Sequence, residues 1–244
     1  MSRENKNYLD RFRSEGILPE SDQIVIDALI DRLTPQRKKK LQETVSKRSK
    51  HFIGIMEHIY DQGNVHAVIR SSEGLGFYRL GRIAAEHQKH SSRTTSGADK
   101  WMEIVDFKTP SQAVHHYRSH GYRIGATAMT PKALPLEEVD FSKPTALFFG
   151  NEKDGCGPES LELSDFHCRI PMLGFTQSFN ISVAAAITFY HVRSFLRASK
   201  KPYLLTPSEQ KNLTAKYLVD AFAHRPAFLK EIFKSTSSCP RFDT

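Results

Sequence analysis

The 244-residue chain is short of several things. It has three cysteines, Cys156, Cys168 and Cys239, and no CxxC spacing. That is too few for a disulfide scaffold and the wrong pattern for structural zinc. No apolar run approaches the roughly 20 residues that cross a bilayer. The N-terminal stretch MSRENKNYLD is polar and lacks the apolar core of a secretory signal. Eleven histidines include the pair His115-His116, but none fall in an HExxH-like ligand spacing, so no metal is expected. These absences predict a cytoplasmic protein with reduced thiols, no membrane segment and no metal. Acidic residues are also scarce: 27 Asp and Glu stand against 35 Lys and Arg, a net charge of +8. That surplus points to a polyanionic partner, with nucleic acid first. A hydrophobic share of 39% with 25% charged residues is that of a globular chain and excludes a disordered one.

The charge is unevenly placed. Residues 1–50 carry 12 basic and 8 acidic side chains, residues 51–200 carry 16 and 15, and residues 201–244 carry 7 and 4. The middle is almost neutral, and the two ends hold most of the surplus. Within the first block, RKKKLQETVSKRSK (37–50) has seven bases and one acid. Such a run is either a solvated helix face or a phosphate-contacting arm. Arg37, Lys38, Lys39, Lys40, Lys47 and Arg48 are its candidate RNA contacts.

Hydrophobic spacing divides the chain in the same places. Ile26, Leu29, Ile30 and Leu33 recur at helical spacing after Ser21, and Thr34-Pro35 opens a second, basic helix. From residue 52 strands and helices alternate. HFIGIMEHIY, FYRLGRIAA, WMEIVDF, YRIGATAM, TALFFG and FHCRIPML read as strands. DQGN reads as a turn, and NVHAVIRSSEGLG, the segment after Thr109-Pro110 and SFNISVAAAITFYHVRSFLRAS read as helices. Residues 86–100 read as a long polar loop and residues 130–144 as a Pro-punctuated one. Thr206-Pro207-Ser208-Glu209 is a capping box that opens a helix toward Arg225-Pro226, with a short helix after it. The pattern predicts an α/β protein with a mainly parallel sheet, helices on both faces and helical extensions at both ends. The predicted boundaries are a basic helical extension over 1–50, the α/β domain over 51–200, and a helical extension with a frayed tail over 201–244.

Two nucleotide motifs fail. Gly150-x4-Gly155 has the frame of a phosphate loop, but Cys156 stands where its lysine belongs. Gly74-x-Gly76 ends a helix, and Arg79 occupies the third glycine position of a dinucleotide fingerprint. Arg70 alone reads as a surface ion-pairing residue. Its company changes that reading. Asn64 and Arg70 flank the first core helix, Gly150-Asn151-Glu152 follows the most apolar strand, and Ser178-x-Asn180 precedes the Ala-rich helix. Loops at strand ends are where parallel sheets bind ligands, and polar groups embedded in apolar sequence need partners.

At these residues the chain closely resembles the SpoU class of the SPOUT superfamily, RNA ribose 2′-O-methyltransferases. The resemblance rests on NVHAVIRSSEGLG (64–76), FFGNEKDGCGPE (148–159) and IPMLGFTQSFNISVAAAI (170–187). SSRTTSGADKW (91–101) fits as well. The basic helix TPQRKKKLQETVSKR (34–48), leading straight into the first strand, is similar to the subgroup that modifies guanosine-18 of tRNA (TrmH-like). The resemblance implies a C-terminal trefoil knot, S-adenosyl-L-methionine as cofactor, and a homodimer whose subunits both contribute to each site. It implies a catalytic set of Asn64, Arg70, Glu152, Ser178 and Asn180, with Arg70 orienting the ribose hydroxyl and removing its proton, or mainly positioning the nucleotide, and Asn64 holding the loop and orienting Arg70. Thr127, Gly150, Ile170 and Phe179 would line the cofactor pocket, although the family usually has leucine where Phe179 stands. The implied reaction is methylation of the ribose 2′-hydroxyl of a tRNA guanosine, with tRNA held by the basic flanks. The alternatives are a ribosomal-RNA 2′-O-methyltransferase and a catalytically inactive RNA-binding relative.

Overall fold

The structure, a computed structural model, describes residues 7–84 and 97–236. Most of the long polar loop, most of SSRTTSGADKW and the tail with Cys239 lie outside the described residues. In chain order the elements are α1 (Tyr8–Ser14), α2 (Asp22–Leu29), α3 (Pro35–Val45), β1 (Phe52–Glu57), α4 (Gln62–Gly74), β2 (Arg79–Ile83), β3 (Glu103–Phe107), α5 (Pro110–Ser119), β4 (Arg123–Thr127), β5 (Leu134–Pro135), β6 (Thr145–Phe149), α6 (Pro158–Glu162), β7 (Phe166–Arg169), α7 (Ile181–Ala198), α8 (Pro207–Phe222) and α9 (Pro226–Thr236). Two compact units divide the chain. One is Ser49–Leu204, and the other joins Met1–Arg48 to Leu205–Thr244.

The α/β unit is built on a seven-stranded sheet in the order β3-β2-β1-β6-β4-β7-β5. All the strand pairs are parallel, as the alternation predicts. β1 and β6 are buried along their whole length, which is why FIGIM and TALFF read as near-continuous apolar runs. Side chains alternate between two helix-covered faces. Ile53, Ile55, Ile124, Ala146 and Phe148 pack with Ala113, Val114 and Tyr117 of α5. On the other face the Phe189 ring of α7 meets Phe52, Phe77 and Phe149 at 5.6–5.9 Å between centroids, and α4 packs against α7. β1, β2 and β3 step toward one edge. The chain then crosses to β4, and β6 returns to fill the gap between β1 and β4. Strand order therefore reverses around β6, and loops at its carboxyl end open into the crevice that results.

The structure revises several local readings. DQGN is the first turn of α4, because the Asp61 carboxylate accepts from the Gly63 amide and caps the helix. Asn64 thus lies inside α4 and does not flank it. The strand read in FHCRIPML stops at Arg169, ahead of Pro171. α7 starts at Ile181, since Asn180 has non-helical backbone and caps the helix by accepting from the Ser182 amide. The Pro-punctuated loop contains β5, a two-residue strand that pairs with β7 at the sheet edge, where proline's missing donor is tolerated. α6, five residues long, is too short to leave a periodic signal.

The helical unit changes the picture of two separate extensions. α1, α2, α8 and α9 share one core of Leu9, Phe12, Val25, Leu29, Ala215, Leu218, Val219, Leu229 and Phe233. Neither end of the chain is long enough to bury a core alone, and together they are. The Thr206 capping box is present in full: the Thr206 hydroxyl accepts from the Glu209 amide, and the Glu209 carboxylate accepts from the Thr206 amide.

Candidate active site

The segment after β6 folds back on itself. Asn151 and Gly155 exchange both backbone hydrogen bonds, at 3.0 and 3.1 Å. The Asn151 side chain accepts from the Lys153 and Asp154 amides. A Cβ at Gly150 would stand 1.9 Å from the Gly155 backbone carbon and 2.0 Å from the Cys156 nitrogen, so this closure admits only glycine. The turn then presents Glu152 toward the start of α4.

There Glu152 collects donors. The Asn64 amide nitrogen donates to Oε1 at 2.8 Å, and the backbone amides of Tyr60 and Asp61 donate at 3.1 and 3.4 Å. Partial burial opposes ionisation of Glu152. The bonds from Asn64, its own amide, Tyr60 and Asp61 outweigh it and hold the carboxyl below its usual range. Asn64 accepts in turn from the Asn180 amide nitrogen at 3.1 Å. Asn180 Oδ1 accepts from the Ser182 amide and hydroxyl at 2.9 and 2.6 Å. Glu152, Asn64 and Asn180 form a directional relay that ties together residues widely separated in sequence. The sequence pattern singles out all three side chains; it gives no sign of the backbone of Tyr60 and Asp61, which no residue type announces.

Arg70 is exposed on α4. Its guanidinium has no hydrogen bond or ion pair among the described residues. Among the described residues no hydrogen bond joins Asn64 to Arg70; the Asn64 amide bonds Glu152 and Asn180 at its two ends. Six helical positions also turn Arg70 about 120° away from Asn64 around α4. Ser178 is exposed on the segment before α7.

Thr127, Gly150 and Ile170 each sit at the carboxyl end of one of three adjacent strands, β4, β6 and β7. Register puts Thr127 opposite Cys168 and Ala126 opposite Phe148. The Thr127 hydroxyl donates to the Phe148 carbonyl at 3.1 Å and lies 3.5 Å from Cys156 Sγ. Burial pushes the Cys156 thiol up to about 12, so it packs as a neutral group. Nearby sequence offers exposed apolar side chains: Leu173 and Phe175 are fully exposed and Phe179 is 39% exposed. The ledge of backbone polar groups at these three strand ends, with the Thr127 hydroxyl, suits a cofactor with an adenine ring and a sulfonium centre. A shallow depression lined by Ser111, Val114, His115 and Arg118 shares no residue with this ledge.

The candidate RNA contacts divide. Arg37, Lys39, Lys40 and Lys47 are exposed. Lys38 is bonded to Asp31 at 2.6 Å, a surface pair that an RNA phosphate can replace at little cost. Arg48 leaves the set: it is 1% exposed. α3 ends at Val45, so the charge run outlasts the helix, and its last arginine turns inward.

A parallel sheet with a polar relay at its carboxyl edge, at the reversal of strand order, defines an α/β protein of the class that binds ligands at such a reversal. The profile of the SpoU rRNA Methylase family matches residues 51–190, and the chain belongs to that family. It is 34% identical over 194 residues to the tRNA (guanosine(18)-2'-O)-methyltransferase of Borreliella burgdorferi, covering 79% of this chain and 88% of that one. The solved structure of the A. aeolicus TrmH/SpoU tRNA modifying enzyme is similar, with a TM-score of 0.69 and 30% identity over 76% of this chain and 96% of that chain. The SpoU methyltransferase AviRb from Streptomyces viridochromogenes, solved in complex with the cofactor AdoMet, shares the fold at a TM-score of 0.54 and 24% identity, over 65% of this chain and 62% of that chain.

Proposed function

We propose that the chain methylates the ribose 2′-hydroxyl of a guanosine in tRNA, guanosine-18 of the D-loop, using S-adenosyl-L-methionine. The observation that carries this reading is the relay Glu152–Asn64–Asn180, which joins the turn after β6, the first turn of α4 and the cap of α7. The similarity to tRNA methyltransferases and the exposed bases of α3 support tRNA as the substrate.

When bound, S-adenosyl-L-methionine supplies an electrophilic methyl on a sulfonium. Thr127, Gly150, Ile170 and Phe179 hold it at the carboxyl ends of β4, β6 and β7. The ribose hydroxyl must lose its proton as it attacks. A guanidinium pKa above about 12 makes Arg70 a donor. It grips the ribose and its phosphate by donating hydrogen bonds and steadies the oxygen, while the hydroxyl proton passes to water. Ser178 and Asn180 shape the wall beside it, and Glu152 stays ionised to anchor Asn64. Arg37, Lys39, Lys40 and Lys47 grip the phosphates.

The test is incubation of the protein with methyl-labelled S-adenosyl-L-methionine and unmodified tRNA, followed by nucleoside analysis. Label is expected in 2′-O-methylguanosine, and Arg70→Ala is expected to lose at least about a hundred-fold in rate. No label in 2′-O-methylguanosine of the tRNA, or an Arg70→Ala variant equal to wild type, overturns the reading.

The same proposal includes the C-terminal trefoil knot, cytoplasmic residence and a homodimer. Support for the dimer comes from α7, where Val183 and Tyr190, two turns apart on one stripe, are 45% and 66% exposed. Sedimentation at micromolar concentration should give twice the chain mass, and Tyr190→Glu should shift it toward one. A wild-type monomer under those conditions rejects the dimer.

A further inference from the structure

Glu57 is a charged residue where charge is costly. It ends β1, follows five apolar or small neighbours and is 3% exposed. A buried carboxylate persists only when its lone pairs are used. Here they are: the Gly157 amide donates to both carboxylate oxygens at 3.3 Å, and the Ser160 hydroxyl donates to Oε2 at 2.7 Å. Ser160 is fully buried. A Cβ at Gly157 would stand 2.9 Å from Glu57 Oε1, so the approach depends on glycine there.

Gly157 closes the segment that starts at Gly150 and carries Glu152. That segment is tied at two points to one stretch of chain: Glu152 to Tyr60, Asp61 and Asn64, and Gly157 to Glu57. Between the ties lies Cys156, which contacts Thr127 and carries the backbone that Gly150 closes against. We propose that Glu57 is a positioning residue for the methyl-transfer site. Its carboxylate fixes the far end of residues 150–157 and so sets the backbone ledge that receives S-adenosyl-L-methionine, while the relay fixes the near end. This inference rests on the methyltransferase reading above.

Two variants test it. Glu57→Gln keeps the shape but turns an amide donor toward the Gly157 or Ser160 donors. Ser160→Ala removes one donor and leaves the Gly157 bonds. The readouts are protection of the Gly157 amide from hydrogen exchange in the protein alone, S-adenosyl-L-methionine affinity by calorimetry, and tRNA affinity. Glu57→Gln is expected to lower Gly157 protection and to weaken cofactor binding about ten-fold or more, with tRNA affinity unchanged. Ser160→Ala should shift both in the same direction by about three-fold. Cofactor affinity equal to wild type in both variants, whatever happens to melting temperature, makes Glu57 a fold residue only and overturns the inference. If Glu57→Gln does not fold, Ser160→Ala decides by the same readouts. A wild-type protein that binds no S-adenosyl-L-methionine overturns the functional reading, and this inference with it. A wild type that binds, with unchanged variants, overturns the inference alone.

Discussion

Asn64 uses both ends of one amide: its nitrogen donates to Glu152 and its oxygen accepts from Asn180. Because neither neighbour can take the other's role, the relay has one direction, and the charge on Glu152 sets it. Glu152→Gln keeps the volume but places an NH2 group among three donors. Hydrogen bonds to charged groups are worth about 1.5–3 kcal/mol, so methylation at pH 7 should fall about ten- to a hundred-fold. The pH dependence has a definite sign. The folded carboxyl is depressed, so its contribution is complete above the ordinary glutamate pKa of about 4.3 and is lost as pH falls through the lower folded value. Glu152 is largely exposed, so the change in global stability is small. The place to look is hydrogen exchange of the Tyr60 and Asp61 amides. Wild type and variant should differ at pH 7 and converge in acid, and a constant gap across that range contradicts the assignment.

At the scale of elements, caps do two jobs. Asn180 starts α7 through Ser182 while its other end holds Asn64, so the start of the longest helix in the α/β unit is also a site residue. Thr206 has only the structural job, and its box is complete. Thr206→Ala should destabilise the helical unit by about 1 kcal/mol in denaturant unfolding. Cofactor affinity should stay unchanged, because none of Thr127, Gly150, Ile170 and Phe179, the residues proposed to hold the cofactor, belongs to that unit. A loss of cofactor binding in this variant would show that the units are coupled. Apart from α1, for which the sequence reading named no element, the longer helices and strands could be read from spacing and capping residues alone. α6 and β5 could not, since five and two residues hold no period.

At the scale of the molecule, the surplus charge lies in the flanks, and both flanks enter one helical core. Arg37, Lys39 and Lys40 present their charge from α3 to solvent. Replacing all three with glutamine should weaken tRNA binding. It should also reduce the slope of log affinity against log salt by about one for each phosphate that is no longer neutralised. Filter binding across a salt series measures this. An unchanged slope makes the cluster a solvated face. Lys38 is left out of the set because its tie to Asp31 confounds the reading.

What the sequence alone determined is local or compositional: the alternation of strands and helices, the Thr34 and Thr206 caps and the charge map, while the family resemblance pointed to Asn64, Arg70, Glu152 and Asn180. These depend on spacings of a few residues, or on polar residues standing in apolar runs. Glu57 carried the same kind of signal in FIGIME, but its partner Ser160 lies 103 residues away. Only the tertiary structure decided which polar groups meet, that Asn64 bonds Glu152 and Asn180, that Arg48 turns inward, and that the two chain ends make one core. Each of those is settled by long-range packing. Burial and pairing depend on what the parallel sheet and the helical core bring close, and no spacing along the chain encodes it.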